Sequence, residues 1–387
     1  MKKFLKYTLA IVLFLYLLAT FIVSPILDRQ ANLVEFNDPR ELGTDAKELY
    51  NSLQFVADLH CDALLWDRDL TKQLDYAHLD FPRMQEAQMA LQAFTIVTKS
   101  PKGQNFKHNS ADAFDQITML NFVQGRFPDK WFSLYERAVY QARALQDYTK
   151  KFDGKFLLVK SRQDLKHLID LRKEDPKVIG GFLGIEGAHC LEGNLDNVQN
   201  LYYEGIRMMA PTHFFDNELG GSAHGMSAEG LTDFGREVIN KMNQLGIIID
   251  VAHVSPKMID DILDLSNRPV LVSHTGVKGT KDSPRNISDH HIKRIAASGG
   301  LIGLGFFKGA IKGEIRHIVE AMKYVRDLVG IDHVALGSDF DGAATTPIDV
   351  TGLPFLVQEL MNQGFSDNEI RAIMGDNVKR FLMEQLP

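Results

Sequence analysis

Histidines and carboxylates follow a series of short apolar runs in this chain. They are His60, Asp62, Glu186, His213, His253, His274 and Asp339. A single histidine in such a place is usually an ordinary core or loop residue, but seven polar groups at the ends of apolar runs point to a shared site. Neutral imidazoles and carboxylates are good ligands for Zn²⁺. Three of these imidazoles with two of these carboxylates would make five ligands, one more than a tetrahedral site holds. Such a set favours two metal ions about 3.5–4 Å apart.

A carboxylate such as Glu186 can bridge two metal ions, because each of its oxygens can hold one of them. Water between two Zn²⁺ ions would ionise near neutral pH and act as a nucleophile. His60 and Asp62 are two positions apart, so on an extended strand both face the same side. Cys61 then faces away, which favours a packing role. Whether Cys61 pairs with Cys190 stays open, but two cysteines exclude a cysteine-rich zinc site.

The elements that must position these groups are short buried strands, because the apolar runs are bounded by Gly, Pro or polar residues. We predict eight of them: Phe55–Leu59, Leu91–Val97, Ile179–Ile185, Ile206–Ala210, Ile247–Val251, Val270–Val272, Leu301–Phe306 and Val334–Gly337. Phe156–Val159 is a further candidate outside this set. Amphipathic stretches such as Gly235–Leu245 and Pro256–Leu265 lie between the runs and predict helices. Residues 110–152 predict two more helices.

Eight strands that alternate with helices predict an α/β fold, a (β/α)8 TIM-type barrel, whose active site lies at the carboxyl ends of the strands. An open doubly wound sheet is the alternative. That fold usually carries a glycine-rich phosphate turn after its first strand, whereas this chain has His60-Cys61-Asp62 there. The chain also lacks GxGxxG, GxxxxGK[ST] and GxSxG motifs, which disfavours nucleotide binding and serine hydrolysis.

The N-terminal segment 7–27 carries no charge over its 21 residues and follows Lys2, Lys3 and Lys6. We expect a transmembrane helix that anchors the protein in a membrane, with a cleaved signal peptide and a buried helix as alternatives. The charge asymmetry places the body on the extracytoplasmic side, periplasmic or extracellular. The predicted organisation is an anchor at 1–29 and a catalytic barrel at 30–387.

The charge balance argues against one class of partner. Lys and Arg total 43 and Asp and Glu total 50, for a net charge of −7. An acidic body has no electrostatic footprint for nucleic acid, so we expect none as a partner.

Several ordered motifs resemble the membrane (renal) dipeptidase family of zinc-dependent hydrolase barrels. They are the His60/Asp62 pair, GIEGAH with Glu186, the Tyr202-Tyr203 to Thr212-His213 run, LGIIIDVAHVS with His253, PVLVSH with His274, PRNISD with Arg285 and GSDFDG with Asp339. This resemblance covers most of residues 55–345.

The resemblance implies two Zn²⁺ ions per chain and a set of residue roles. The implied metal ligands are His60, Asp62 and Glu186 for one ion, and Glu186, His253 and His274 for the other. Glu186 would bridge the ions. His213 would contact substrate and stabilise the oxyanion, Arg285 would grip the substrate carboxylate, and Asp339 would lie near the substrate amine and leaving group. Catalysis would thus depend on Asp339, His213 and Glu186, and substrate binding on His213, Arg285 and Asp339.

The expected function is therefore hydrolysis of the peptide bond of dipeptides. The alternatives are a related binuclear amidohydrolase that acts on another amide, lactone or β-lactam, and an inactive membrane-tethered scaffold. The loop after His213 departs from the family pattern, which leaves specificity open, and His224 in that loop is a candidate pocket residue. We expect a supporting role for His189 and a structural one for Asp341. The sequence leaves a homodimer open.

Overall fold

The computed structural model describes residues 2–36 and 41–387, without the side chains at positions 2, 9, 12, 13, 15, 17 and 19. The described α-helices are α1 (Lys2–Ala31), α2 (Thr44–Asn51), α3 (Phe81–Glu86), α4 (Gln116–Val123), α5 (Asp129–Phe132), α6 (Leu134–Lys151), α7 (Arg162–Glu174), α8 (Asp196–Tyr203), α9 (Asp233–Leu245), α10 (Pro256–Leu265), α11 (Asp289–Ala297), α12 (Ile315–Val329), α13 (Leu353–Asn362), α14 (Asp367–Arg371) and α15 (Asn377–Gln385). Short 3₁₀ turns lie at Ala63–Leu65, Ala188–Leu191, Ile331–His333 and Val350–Gly352, and a π turn lies at Ala372–Asp376.

The described strands are β1 (Leu33–Val34), β2 (Val56–Cys61), β3 (Met89–Val97), β4 (Phe156–Leu158), β5 (Ile179–Glu186), β6 (Ile206–Ala210), β7 (Ile248–Ile249), β8 (Leu271–Thr275), β9 (Leu301–Leu304), β10 (Val334–Leu336) and β11 (Thr345–Thr346). Eight of them form one curled parallel sheet in the order β7-β6-β5-β3-β2-β10-β9-β8, and β4 pairs with β5 outside this path. A parallel bridge between Asp250 and Leu271 links the two edge strands. The architecture is thus α/β and of the TIM type, as predicted.

Each of the eight predicted apolar runs overlaps one strand of this sheet, although several strands begin or end up to three residues outside the predicted bounds. Their faces are apolar and buried on both sides, toward the interior and toward the surrounding helices, as parallel strands require. The run Ile247–Val251 gives the shortest strand, Ile248–Ile249. Residues 110–152 form three helices, α4 to α6, and not the two that we predicted. The third is α5, a single four-residue turn between them.

The N-terminal segment does form a helix, but the prediction of a membrane-spanning anchor is not supported. Among the residues that the structure describes, no helix is both long and apolar enough to cross a bilayer. The last turns of α1 pack on the body instead, where Ser24 and Asp28 are buried. The helix also runs through the boundary that we predicted at residue 29.

Hydrogen bonds and charges join the end of α1 to the loop after β10. Asn32 Nδ2 donates to Asp28 Oδ1 (2.7 Å), and the backbone N–H of Ala343 donates to Asn32 Oδ1 (3.0 Å). The buried Arg68 pairs with Asp341 and lies 3.7 Å from Asp28 Oδ2. The adjoining β1 pairs in parallel with β11. Residues 28–34 are therefore an integral part of the body.

The charge on Asp28 makes stability depend on pH. Burial raises the pKa of Asp28 from 3.8 to about 6, and the nearby Arg68 offsets this only in part. A carboxyl with a raised pKa in the folded state binds its proton more tightly there, so stability falls as pH rises from about 4 to above 6. The loss can reach about 3 kcal/mol. We expect Asp28→Asn to remove it, so that the variant matches the wild type near pH 4 and exceeds its unfolding free energy at pH 8.

Urea unfolding between pH 4 and pH 8 measures this difference. Asp75→Asn is the matched control, because Asp75 pairs with Arg29 (2.7 Å) on the protein surface. The control should follow the wild type across the range. A difference between Asp28→Asn and wild type that does not change with pH would contradict the assigned cause.

Candidate active site

The carboxyl ends of the parallel strands bring all seven sequence-predicted groups to one pocket. His60 lies near the end of β2, with Asp62 directly after that strand, and Glu186 ends β5. The other four are His213 after β6, His253 after β7, His274 within β8 and Asp339 after β10. A single cavity of about 650 Å³ lies against six of these groups, and His60 is buried beneath it. All seven groups therefore lie together at the carboxyl ends of the strands, where the sequence pattern put them.

Glu186 lies at the centre of the cluster. Its Oε1 is 3.0 Å from His253 Nε2, 3.3 Å from His274 Nε2 and 3.7 Å from His60 Nε2. Its Oε2 is 3.3 Å from His213 Nε2. Four imidazoles thus converge on one buried carboxylate. The glycine after it is needed for this turn: Gly187 has φ +92°, and a Cβ there would lie 2.4 Å from His189 Cε1.

The donor atoms of the cluster fit a divalent metal site. His60 Nε2 is buried without a hydrogen-bond partner among the described residues, and it lies 3.5 Å from Asp62 Oδ1. His253 Nε2 and His274 Nε2 face each other at 3.0 Å, a contact at which two lone pairs repel unless a cation or proton lies between them. Potential ligand atoms lie within 4.8 Å of one another in two groups that share Glu186: His60, Asp62 and Glu186, and Glu186, His213 and His253.

The electrostatics point the same way. Burial raises the pKa of Glu186 well above its ordinary value, and Asp62 raises it further. Burial lowers the pKa of His253 and of His274 well below 6.5, so both rings are neutral at pH 7 and hold a lone pair for a metal. For His60, burial is outweighed by Glu186 and Asp62, which raise its pKa to about 10. A bound cation would supply the positive charge that these carboxylates require.

Ser273 supports two of the histidines and was not predicted. Its Oγ lies 2.9 Å from His60 Nδ1 and 3.0 Å from His274 Nδ1. One hydroxyl oxygen has two lone pairs and can accept an N–H from each ring. Rings protonated at Nδ1 present both Nε2 lone pairs to the cluster, which is the form that binds metal. Its position directly before His274 was the available signal.

We expect Ser273→Ala to weaken metal binding by about 10- to 100-fold, because the two rings lose the acceptor that fixes their orientation. Competition with a fluorescent zinc chelator measures the affinity. Ser161→Ala is the control: it also removes a serine hydrogen bond, to the backbone N–H of Asp164 (3.1 Å), at the distant start of α7. Equal zinc affinity in Ser273→Ala and wild type would show that the hydroxyl does not hold the rings.

Two buried aspartates, Asp58 and Asp250, join the strands that carry the cluster, and the sequence pattern did not predict either role. Asp58 accepts hydrogen bonds from the backbone N–H of Ser338 (2.7 Å) and from Gln92 Nε2 (2.8 Å), which fastens β2 to its neighbours. Asp250 Oδ1 accepts from the backbone N–H groups of Ala252 and Ser273, both at 2.9 Å. Asp58 precedes His60 by two positions, so the period of two in DLHCD was a usable signal.

Two residues of the cluster have left-handed backbone conformations. His253 has φ +60° and Asp339 has φ +63°. Such conformations cost about 1–3 kcal/mol each in a residue other than glycine and persist where surrounding contacts hold them, often at functional sites. Here they direct the chain at the ends of two barrel strands.

Arg285 provides a buried cation beside the cluster. One of its terminal nitrogens, Nη2, donates to the backbone oxygen of His274 (2.6 Å), and its guanidinium carbon lies 5.5 Å from the ring centre of Phe307. Its Nε is buried and has no partner among the described residues. Burial lowers its pKa to about 10, against the opposing effect of Asp339 and Glu186, so it stays charged at pH 7. A buried guanidinium with a free donor is suited to bind a carboxylate.

His224, His189 and Asp341 lie outside the cluster of candidate ligands. His224 is buried, stacks on Phe214 (5.0 Å) and lies 5.2 Å from the ring of His253. His189 Nε2 lies 2.9 Å from Thr98 Oγ1. Asp341 belongs to the Arg68 network: burial opposes its ionisation, but Arg68 and His78 outweigh burial and lower its pKa to about 2. Cys61 and Cys190 are both buried, and both are free cysteines.

Fold and cluster together define a metal-dependent hydrolase built on a TIM-type α/β scaffold. The sequence pattern of the membrane dipeptidase family, peptidase family M19, matches residues 44–386. A curated relative, "Dipeptidase tcpJ" of Claviceps purpurea, is 27% identical over 318 residues, which cover 79% of this chain and 69% of that protein.

Solved structures agree with this match. The dipeptidase AC, a metallopeptidase of family M19, superimposes with a TM-score of 0.69 at 25% identity over 86% of this chain and 98% of its own. A metallopeptidase from Rhodobacter sphaeroides, liganded with a phosphinate mimic of the dipeptide L-Ala-D-Ala, has the same fold (TM-score 0.69, 24% identity, 87% and 100% coverage). So does the probable dipeptidase PvdM of Pseudomonas aeruginosa (TM-score 0.74, 19% identity, 90% and 99% coverage).

This chain belongs to the membrane dipeptidase family, as the sequence motifs predicted. It is a metal-dependent hydrolase of the dipeptidase type.

Proposed function

We propose that the enzyme hydrolyses dipeptides with two zinc ions that share Glu186. The proposed ligands are His60, Asp62 and Glu186 for one ion and Glu186, His253 and His274 for the other. The observation that carries this proposal is the central position of Glu186, whose oxygens approach four histidine nitrogens within 3.7 Å.

The geometry favours His274 over His213 as the second histidine ligand. His253 Nε2 and His274 Nε2 both approach Glu186 Oε1, at 3.0 and 3.3 Å, and face each other. His213 approaches the other oxygen, Oε2, at 3.3 Å, and all three histidines line the pocket. One ion between His253 and His274 would leave His213 free for substrate.

Metal ions at such a site, when bound, lower the pKa of water and polarise the scissile carbonyl. The side chains of this chain then bind and orient the dipeptide. The Arg285 guanidinium would hold the substrate carboxylate through paired N–H donors. Burial lowers the pKa of His213 well below 6.5, so it is a neutral ring with one N–H to donate. That N–H would stabilise the carbonyl oxygen as it becomes an oxyanion.

Asp339 is the candidate proton carrier. Its Oδ1 lies 3.9 Å from His60 Nε2, and its side chain borders the pocket. Burial raises its pKa to about 8, with Asp62 adding to the effect and His60 opposing it, so its ionised form is a stronger base than an ordinary carboxylate. It would take a proton from the attacking water and deliver it to the leaving amine nitrogen as the C–N bond breaks. Its carboxylate would also attract the ammonium group of the dipeptide.

Elemental analysis of the full-length protein tests the metal proposal. We expect about two zinc ions per chain after reconstitution, and activity that rises with the zinc content. A fully active protein with one zinc ion per chain would contradict the shared site. Activity that returns with another divalent ion and never with zinc would contradict the choice of metal.

The location of the enzyme remains a proposal from charge alone. Lys2, Lys3 and Lys6 precede the uncharged segment 7–27, which favours a body outside the cytoplasm. Fractionation of cells that produce the full chain would place dipeptidase activity in the periplasmic or extracellular fraction, and activity confined to the cytoplasm would contradict it.

A further inference from the structure

The pocket above the cluster continues into an apolar chamber that the metal site does not use. The cavity holds about 650 Å³, within the range of about 300–1,000 Å³ that accommodates drug-sized ligands. Its polar floor includes Glu186, Arg285 and Asp339. The part that we call the apolar chamber is lined by Leu27, Ala31, Leu65, Trp66, Ile117 and Leu120.

Two helices outside the barrel build this chamber. Leu27 and Ala31 come from the last turns of α1, and Ile117 and Leu120 come from α4. The helices are joined directly: the Tyr16 hydroxyl donates to the backbone oxygen of Phe122 (2.9 Å), and the two rings lie 5.0 Å apart. Because the end of α1 is also bonded to the body, the chamber has a fixed wall.

The chamber adjoins the Asp62 and Asp339 side of the site. Leu65 and Trp66 follow Asp62 by three and four residues, and Trp66 Nε1 donates to the backbone oxygen of Asp341 (2.7 Å). Arg285 lies beside Phe307, which packs in a different apolar cluster from Leu65, Trp66 and Ile117. A dipeptide with its carboxylate on Arg285 and its amine near Asp339 therefore has its first side chain next to the chamber.

We infer that the chamber binds the side chain of the amino-terminal residue of the substrate, and that the enzyme selects dipeptides whose first side chain is large and apolar. This inference rests on the proposed roles of Arg285 and Asp339. Leu27 is 39% exposed and lines the pocket, so a bound side chain would cover apolar surface that now faces water. Covering it would favour a large first residue over alanine.

The test uses the full-length, zinc-loaded protein and matched dipeptides: Ala-Ala, Leu-Ala, Phe-Ala, Ala-Leu and Ala-Phe. We expect kcat/KM for Leu-Ala and Phe-Ala to exceed that for Ala-Ala by at least about tenfold, because each added methylene in an apolar site changes discrimination by that order. Ala-Leu and Ala-Phe should not show this gain.

Leu27→Trp links the preference to the chamber, because the indole would fill it. The ratio of kcat/KM for Phe-Ala to that for Ala-Ala should fall about tenfold. Leu27→Ala is the second variant and should lower the ratio of Leu-Ala to Ala-Ala, because one wall contact is lost. Ile26→Trp is the control: Ile26 is 48% exposed and should keep the wild-type ratios.

The outcomes separate this inference from the function itself. Three results would overturn the assignment of the chamber to the first side chain and leave dipeptide hydrolysis intact. They are equal rates for Ala-Ala and Phe-Ala, a preference for a large second residue, and ratios that are unchanged in both Leu27 variants. A folded, zinc-loaded protein that cleaves none of the five dipeptides would overturn the proposed function.

Discussion

Glu186→Gln should abolish dipeptide hydrolysis, with kcat/KM reduced by at least about 10³-fold. The amide keeps the shape of the side chain but loses the negative charge that four histidine nitrogens surround within 3.7 Å. Two ions that share Glu186 would lose their common anionic ligand, so zinc content should fall together with activity. Zinc analysis and dipeptide hydrolysis on the same preparations measure both effects.

A matched control exists for this substitution. Glu359 is also a buried glutamate, lies on α13 and accepts a hydrogen bond from Gln363 Nε2 (2.8 Å). Glu359→Gln should keep both zinc and activity. A Glu186→Gln protein that binds two zinc ions and turns over dipeptides at the wild-type rate would disprove the shared-ligand assignment.

Arg285→Ala should lower kcat/KM for dipeptides by about 100-fold, with most of the change in KM. The reason is that its buried guanidinium would hold the ground-state carboxylate, and a substrate carboxylate without that partner stays poorly compensated in the pocket. Arg285→Lys should recover only part of the loss, because an ammonium group lacks the paired donor geometry of guanidinium. Steady-state kinetics with the three proteins measures these differences.

A dipeptide amide provides the chemical control for Arg285. It lacks the carboxylate, so the wild type should cleave it poorly. The Arg285→Ala protein should cleave it at about the same low rate as the wild type. Zinc content must stay unchanged, because Arg285 Nη2 also bonds the backbone oxygen of His274. If Arg285→Ala loses the same factor on the dipeptide and on its amide, the arginine does not act through the carboxylate.

The strands and the positions of the proposed metal ligands in the fold were predictable because both depend on local pattern. A buried parallel strand is a short apolar run. In a TIM-type barrel the residues at the carboxyl ends of the strands lie around the active site. This rule placed His60, Glu186, His253 and His274 correctly without any knowledge of their contacts. The pattern does not show which residues link the two edge strands, so the bridge between Asp250 and Leu271 could not be foreseen.

The role of the N-terminal helix was not predictable in the same way. An uncharged segment of 21 residues after three lysines has the pattern of a membrane anchor, and nothing in that pattern shows what its last turns contact. Asp28 was the available signal, since it ends the apolar segment and becomes a buried carboxyl near Arg68. Ser273 was missed for a similar reason, because its two partners, His60 and His274, lie on different strands.

The most direct test of the central claim is hydrolysis of dipeptides by the full-length protein before chelation, after chelation and after zinc is restored. The panel includes L-Ala-D-Ala beside the L,L-dipeptides, with an N-acetylated dipeptide as a blocked control. We predict cleavage that disappears with the chelator, returns with zinc and is weak on the blocked peptide. Cleavage that persists in metal-free protein, or a folded zinc-loaded protein that cleaves no dipeptide, would contradict the account.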